Sequence, residues 1–305
     1  MKYWFILHLL LMAGQVLAQS PEAGSIRDET IPSRFLGEPR MVHVYLPAAY
    51  PAHPDRRFPV LYLHDGQNVL STAGPNVAFG WGNWELDLTA DRLIRERKMR
   101  PIIIVAVDNL GSARMTEYSG HHVAGTTQSG GYDAYSSFLM REMKPYIDKK
   151  YRTQPDAAHT GVMGSSLGGL CSAALAWEHP EIFGNAASLS GSFFFDDKHF
   201  LEELLKKAQG PPKPVKFYFD SGSVDFTGGD DGRKLTAAVV AQLRRIGWRD
   251  DLLYYDDAHP LTPEQLAGSG LRRDKWKEAQ TSQHNEFYWR QRAWRPLTFL
   301  FPPEK

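Results

Sequence analysis

Residues 164–169 read Gly-Ser-Ser-Leu-Gly-Gly, and Gly164-Ser165-Ser166-Leu167-Gly168 is the only Gly-x-Ser-x-Gly in the chain. The spacing suits a nucleophile. Glycines at both flanks let a tight turn press its neighbours against other backbone, which any side chain would prevent. If that turn joins a strand to a helix, the Ser166 hydroxyl stands at the helix's positive end. Unpaired N–H groups there can face an oxygen that is gaining negative charge. A serine hydroxyl is a poor nucleophile until a base takes its proton, so a histidine and an acid that orients it are needed downstream. Asp220 and Asp225 follow one apolar run, Asp256 and Asp257 follow the next, and His259 and His284 come after them.

The elements that must carry these groups alternate. Phe58 to His64 and Pro101 to Val107 are apolar runs of the kind found in strands covered on both faces. His159–Met163, Ala186–Leu189, Val215–Phe219 and Asp251–Tyr255 read as further strands, and Met41–Pro47 alternates like a half-exposed one. Helical periodicity covers Trp84–Lys98, Tyr132–Lys149, Leu167–Glu178, Phe200–Ala208, Leu235–Ile246 and Asn285–Phe301. The basic cluster Arg92, Arg95, Arg97 and Lys98 closes a helix, where cations suit the dipole. Gly111 to Gly131, rich in Gly, Ser, Thr and His, reads as a long loop. Strands alternating with helices predict an α/β fold: a mostly parallel sheet with helices on both faces. Ser166 then falls between a strand and a helix, as the chemistry requires.

Further segments occur in a telling order: Arg40-x-Val42-x-Val44-Tyr45-Leu46-Pro47, then Leu61-Tyr62-Leu63-His64-Asp65-Gly66-Gln67-Asn68, then Arg114-x-x-Glu117-Tyr118. After the serine motif come Gly222-x-x-Asp225 and His284-Asn285-Glu286-x-x-Trp289. In these segments, spread over nearly the whole chain, the sequence resembles the esterase D / enterochelin esterase-like branch of the α/β-hydrolases. That branch includes feruloyl and acetyl-xylan esterases, S-formylglutathione hydrolases, siderophore esterases and mycolyltransferases. The resemblance implies the α/β-hydrolase fold, with Ser166 as nucleophile, His284 as general base and then acid, and Asp225 as the orienting carboxylate. Asp220 is the alternative acid and His259 the alternative base. The oxyanion hole would use the N–H of Leu167 and that of Gln67, with Gly66 allowing close approach. Trp81, Trp84 and Tyr118 are candidate substrate contacts, with Phe79 beside them. Accepting His284 makes Ala258 to Gln283 a long excursion from the compact pattern.

Composition limits the alternatives. The chain has 305 residues, 42% of them hydrophobic and 23% charged, with Lys plus Arg and Asp plus Glu at 35 each. Disorder is excluded by that balance, and the neutral charge disfavours a protein that neutralises nucleic-acid phosphates. A single cysteine, Cys171, rules out an intrachain disulfide or a Cys-based zinc site and reads as a small core residue. Adjacent His121 and His122 on extended chain would point apart, and Asp225–Gly232 lacks the ligand alternation of an EF-hand, so no metal or other cofactor is expected. Lys2, the apolar Tyr3–Met12 run and Val16-Leu17-Ala18 have the layout of a signal peptide over residues 1–18, cleaved near Ala18. Residues 19–305 then form one domain, periplasmic or secreted, with no integral membrane segment and no sign of its oligomeric state.

The expected activity is hydrolysis of a small-molecule or glycan ester through an acyl-enzyme, on acyl or feruloyl esters of polysaccharide. A ferric-siderophore trilactone is the alternative substrate. Acyl transfer to a sugar, and glycan binding on a retired scaffold, are the alternative functions. Arg272, Arg273, Lys275 and Lys277 in the excursion would meet an anionic substrate or form a solvated face.

Overall fold

The computed structural model describes residues 23–119, 131–256 and 259–304. The expected leader, His121, His122 and Asp257 lie outside these residues. Among the described residues, eight strands form one sheet in the order β1-β2-β4-β3-β5-β6-β7-β8. They are β1 (Ser25–Ile31), β2 (Arg40–Leu46), β3 (Val60–His64), β4 (Ile103–Val107), β5 (Thr160–Ser165), β6 (Asn185–Leu189), β7 (Lys216–Asp220) and β8 (Leu252–Tyr255). From β4 onward across β3, β5, β6, β7 and β8 the pairing is parallel, while β1–β2 and β2–β4 are antiparallel.

Two-sided burial explains the apolar runs. Ile103, Val105 and Val107 of β4 join Val60 and Tyr62 of β3 in one core cluster. Ile104 and Ala106 join Leu61 and Leu63 in the cluster on the opposite face. The first face is covered by α3 (Gly131–Phe138), α4 (Lys144–Lys150), α5 (Leu167–Glu178) and α6 (Arg233–Ile246). The second carries α1 (Leu86–Arg95), α7 (Glu286–Arg292) and α8 (Trp294–Leu300). This is the α/β-hydrolase arrangement, with the parallel strands' C-terminal ends along one rim.

One strand was not anticipated, and two local readings need correction. β1 carries no clear apolar alternation; it forms because its edge pairs with β2 through the full register from Ser25↔Leu46 to Ile31↔Arg40. The stretch expected as loop from Gly111 contains α2 (Arg114–Ser119), whose Glu117 accepts both Arg40 Nη1 at 3.0 Å and Arg40 Nη2 at 2.7 Å. That ion pair is buried, so α2 is pinned to the sheet. The single helix expected over Asn285–Phe301 breaks at Ala293 into α7 and α8. Pro296 has no N–H for the Arg292 carbonyl and its ring crowds that carbonyl.

The excursion before His284 carries short helices at Pro263–Ala267 and Trp276–Ala279. A capping box of Thr262 and Gln265 starts the first. Leu266, Leu271 and Ala279 pack on Phe287 and Tyr288 of α7 as a small core of their own.

Candidate active site

The turn at Ser166 follows from steric demand. Ser166 has φ 56° and ψ −125°, a conformation that costs a side-chain-bearing residue about 1–3 kcal/mol. A Cβ on Gly164 would lie 2.7 Å from the Gly168 backbone, and one on Gly168 would lie 3.1 Å from His64 Cβ. Gly164 is therefore required where it stands, while a side chain at Gly168 would have to displace His64 by a few tenths of an ångström. The turn closes through Ser166 N–H to the Leu189 carbonyl at 3.0 Å, and the Ser166 carbonyl accepts from Gly169 and Leu170 as α5 begins. Leu167 is the first residue of that helix, among the N–H groups that no helical carbonyl can pair.

His284 approaches from the loop before α7. Its Nε2 is 2.8 Å from Ser166 Oγ, and its Nδ1 is 2.6 Å from Asp231 Oδ1. With Nδ1–H donating to the carboxylate, Nε2 would carry a lone pair facing the serine hydroxyl. Trp289 packs edge-on against the imidazole at 5.1 Å, and Phe226 covers it from the solvent side at 5.9 Å. Ser192 Oγ is 3.2 Å from Ser166 Oγ.

Asp231, not Asp225, meets the histidine. Asp225 Oδ1 is occupied within its own turn, accepting Thr227 N–H at 2.8 Å, Thr227 Oγ1 at 2.6 Å and Gly229 N–H at 2.9 Å. These bonds hold its carboxyl below the usual aspartate range despite partial burial. Asp231 is buried just before α6, and its Oδ2 accepts from Ser190 Oγ and the Gly222 N–H. Asp220, the other candidate acid, is fully buried behind the site with Arg292 Nε at 3.1 Å and Tyr218 OH at 2.8 Å. Arg292 Nη2 also donates to Ser190 Oγ at 2.9 Å. The chain Asp220–Arg292–Ser190–Asp231–His284 thus fixes every member's orientation. Asp231, Ser190, Ser192 and Arg292 were absent from the sequence reading; the one available cue was a carboxylate directly before a helix on the loop after β7. His259 and Asp256 are exposed and take no part in this chain of contacts.

Gly66 and Gln67 follow β3 in a 3-10 turn. A Cβ on Gly66 would fall 2.6 Å from the Ala106 carbonyl carbon, so only glycine lets this turn lie on β4. Gln67 Oε1 accepts the Asn109 N–H at 3.1 Å. Two of the expected substrate contacts are corrected. Trp84 is 2% exposed and packs on Trp289, and Tyr118 is 0% exposed between His64 and Tyr135. Both are large enough to be held in the core, so neither meets a substrate. Trp81 is half-buried against the excursion's small core, with Lys275 Nζ 4.9 Å from its ring centre, and Phe79 is 95% exposed. Beside the turn, burial and the neighbouring Asp65 charge push the Glu286 carboxyl up to about 7, against the opposing pull of Arg114 and Asn68. Arg272 is tied to Asp274 and Lys275 to Glu278 on the surface, the solvated-face arrangement.

Known proteins share this architecture. A ferulic acid esterase superposes with a TM-score of 0.64 at 17% identity, covering 92% of this chain and 97% of that one. The enterobactin esterase of Shigella flexneri gives 0.65 at 17% identity, over 90% of this chain and 59% of its own. In sequence, the chain is 28% identical over 199 residues to an endo-1,4-beta-xylanase/feruloyl esterase of Xylanibacter ruminicola. That match covers 64% of this chain and 24% of the relative, so the chain spans about a quarter of that protein's length. The family model described as "Putative esterase" matches residues 33–296, and the chain belongs to that esterase family.

Proposed function

We propose that the protein is a serine carboxylester hydrolase with Ser166, His284 and Asp231 as its triad. The observation that carries this reading is the unbroken line from Ser166 Oγ to His284 Nε2 to Asp231, at 2.8 and 2.6 Å. As Oγ bonds to the ester carbonyl carbon, His284 takes its proton. The tetrahedral oxyanion is held by the N–H groups of Leu167 and Gln67. His284 then protonates the departing alcohol as the C–O bond breaks, leaving an acyl-Ser166. Water, deprotonated by the same Nε2, attacks the acyl carbon and releases the acid and free Ser166. Asp231 stays ionised and stabilises the imidazolium. The chain's own residues perform each step without a cofactor.

The substrate class is an acyl or feruloyl ester of polysaccharide, reached after export directed by residues 1–18. The feruloyl esterase relative and the fold-level likeness to a ferulic acid esterase support it. A siderophore trilactone is the second reading, favoured by the likeness to the enterobactin esterase over 90% of the chain. Wild type and Ser166→Ala should be assayed on p-nitrophenyl acetate, methyl ferulate, acetylated xylan and a siderophore trilactone. Turnover of methyl ferulate or xylan, lowered by at least about 10⁴-fold in the variant, is expected. Equal rates for the two proteins sink the reading. Exclusive cleavage of the trilactone selects the second, and acyl release only with a sugar acceptor makes the protein a transferase. Glycan binding without turnover makes it a binding module.

A further inference from the structure

The turn after β3 is held by more than its own backbone. Asp65 is a non-glycine residue at φ 59° and ψ 45°, in the left-handed region. Its carboxylate receives a two-pronged grip from Arg114, Nε to Oδ1 at 2.7 Å and Nη2 to Oδ2 at 2.7 Å. Asn109 Nδ2 adds a third bond to Oδ1 at 2.6 Å, while the Asn109 N–H reaches Gln67 Oε1 at 3.1 Å. The Asp65 N–H donates to Tyr118 OH at 3.2 Å, and Arg114 lies over the Tyr118 ring at 5.3 Å. Every one of these partners comes from the segment that follows β4.

Charge matters here as much as geometry. Asp65 Oδ2 lies 3.4 Å from where a Gly168 Cβ would stand, so this carboxylate abuts the first turn of α5. An uncompensated negative charge there would oppose a second negative charge growing on the substrate oxygen. The planar guanidinium neutralises it with a fixed bidentate geometry that a lysine does not reproduce.

We infer that Arg114, assisted by Asn109, is a positioning residue of the reaction: it locks Asp65-Gly66-Gln67 in its left-handed turn and cancels the Asp65 charge beside the oxyanion. The inference rests on the esterase reading above and extends it to residues that touch neither the triad nor the substrate. A donor that drifts by about 1 Å forfeits on the order of 10²-fold in rate. Loss of Arg114 should therefore weaken transition-state binding and leave ground-state binding in place.

The test uses the full chain with Arg114→Lys, Arg114→Met and Asp65→Asn, and two ligands of one shape. An aryl-alkyl trifluoromethyl ketone adds Ser166 Oγ to form a hemiketal oxyanion; the corresponding alcohol cannot. With p-nitrophenyl acetate, kcat should fall about 10-fold in Arg114→Lys and about 100-fold in Arg114→Met, with KM within about twofold. Affinity for the ketone should fall by the same factors while that for the alcohol holds, and guanidinium ion should restore part of the loss in Arg114→Met. Should Arg114→Met fail to fold, Arg114→Lys and Asp65→Asn carry the comparison. Ketone affinity and kcat within about threefold of wild type in the folded variants would overturn the inference. So would equal losses for ketone and alcohol, the mark of a merely structural role. Undiminished turnover by Ser166→Ala would instead defeat the underlying esterase reading, which separates the two failures.

Discussion

At the scale of single residues, the choice between two aspartates decides the chemistry. Asp225 and Asp231 lie on one loop, and six residues of extended chain reach about 20 Å, so contour length admits either at His284. The difference is local hydrogen bonding. Asp225 closes its own Asx turn with Thr227 and Gly229. Asp231 is buried, with its second oxygen satisfied by Ser190 and Gly222, so its first is free for the imidazole. Asp231→Asn should therefore lower kcat by about 10⁴-fold by favouring the wrong histidine tautomer. Asp225→Asn should stay within a few-fold of wild type. Steady-state kinetics on any ester the protein turns over will distinguish them, and the reverse order would return the role to Asp225. Ser166 was readable because the turn writes its steric needs into adjacent glycines, whereas His284 was singled out by its His-Asn-Glu-x-x-Trp resemblance and lies in the loop before α7. The acid was not readable, since nothing in a loop's composition tells which carboxylate faces inward.

At the scale of elements, the added edge strand β1 carries its own titrating staple. His43 Nδ1 is 2.6 Å from Asp28 across the β1–β2 register, and Nε2 is 3.2 Å from Asp108 at the end of β4. Asp108 foremost, and Asp28, raise the imidazole to about 9 against the effect of burial. A group whose proton is held more tightly in the folded state stabilises that state fully below its unfolded pKa of about 6.5. The contribution disappears as pH rises through about 9. Wild type should lose on the order of 1–2 kcal/mol between these limits, discounted for the exposed Asp28. The stability curve of His43→Gln, followed by thermal or urea unfolding across pH 6–10, should be flat over the same interval. A parallel decline in both proteins would exclude the staple. The element itself escaped the sequence reading because a polar edge strand has no buried face to impose alternation; only pairing with β2 creates it.

At the scale of the whole molecule, one continuous sheet separates two large cores, while the excursion between β8 and α7 rests on a third, small one. Few buried apolar side chains hold this unit, so it should open locally without global unfolding. Native-state hydrogen exchange should find the amides of Leu266–Ala279 exchanging well before those of β3, β4 and β5. Equal protection would show that the excursion unfolds only with the sheet. Because the segment ends at Gln283, whose Oε1 accepts the Ser223 N–H at 2.6 Å and whose N–H reaches the Val224 carbonyl at 2.8 Å, its exit is fastened beside the acid-bearing loop. That fastening lets His284 return to Ser166 after a detour of more than two dozen residues.

The amino-acid order alone determined the parallel core strands, the helix after Ser166 and the tight turn between strand and helix, because each is encoded within a few neighbouring residues by periodicity or by steric exclusion; His284 was preferred to His259 only through the family resemblance. Tertiary structure decided the rest. Which aspartate is desolvated, which aromatic rings are swallowed by the core, and how Arg114 comes to grip Asp65 all depend on distances between segments remote in the chain. Local sequence carries no record of such distances, since burial and charge neutralisation exist only once the sheet has brought those segments together.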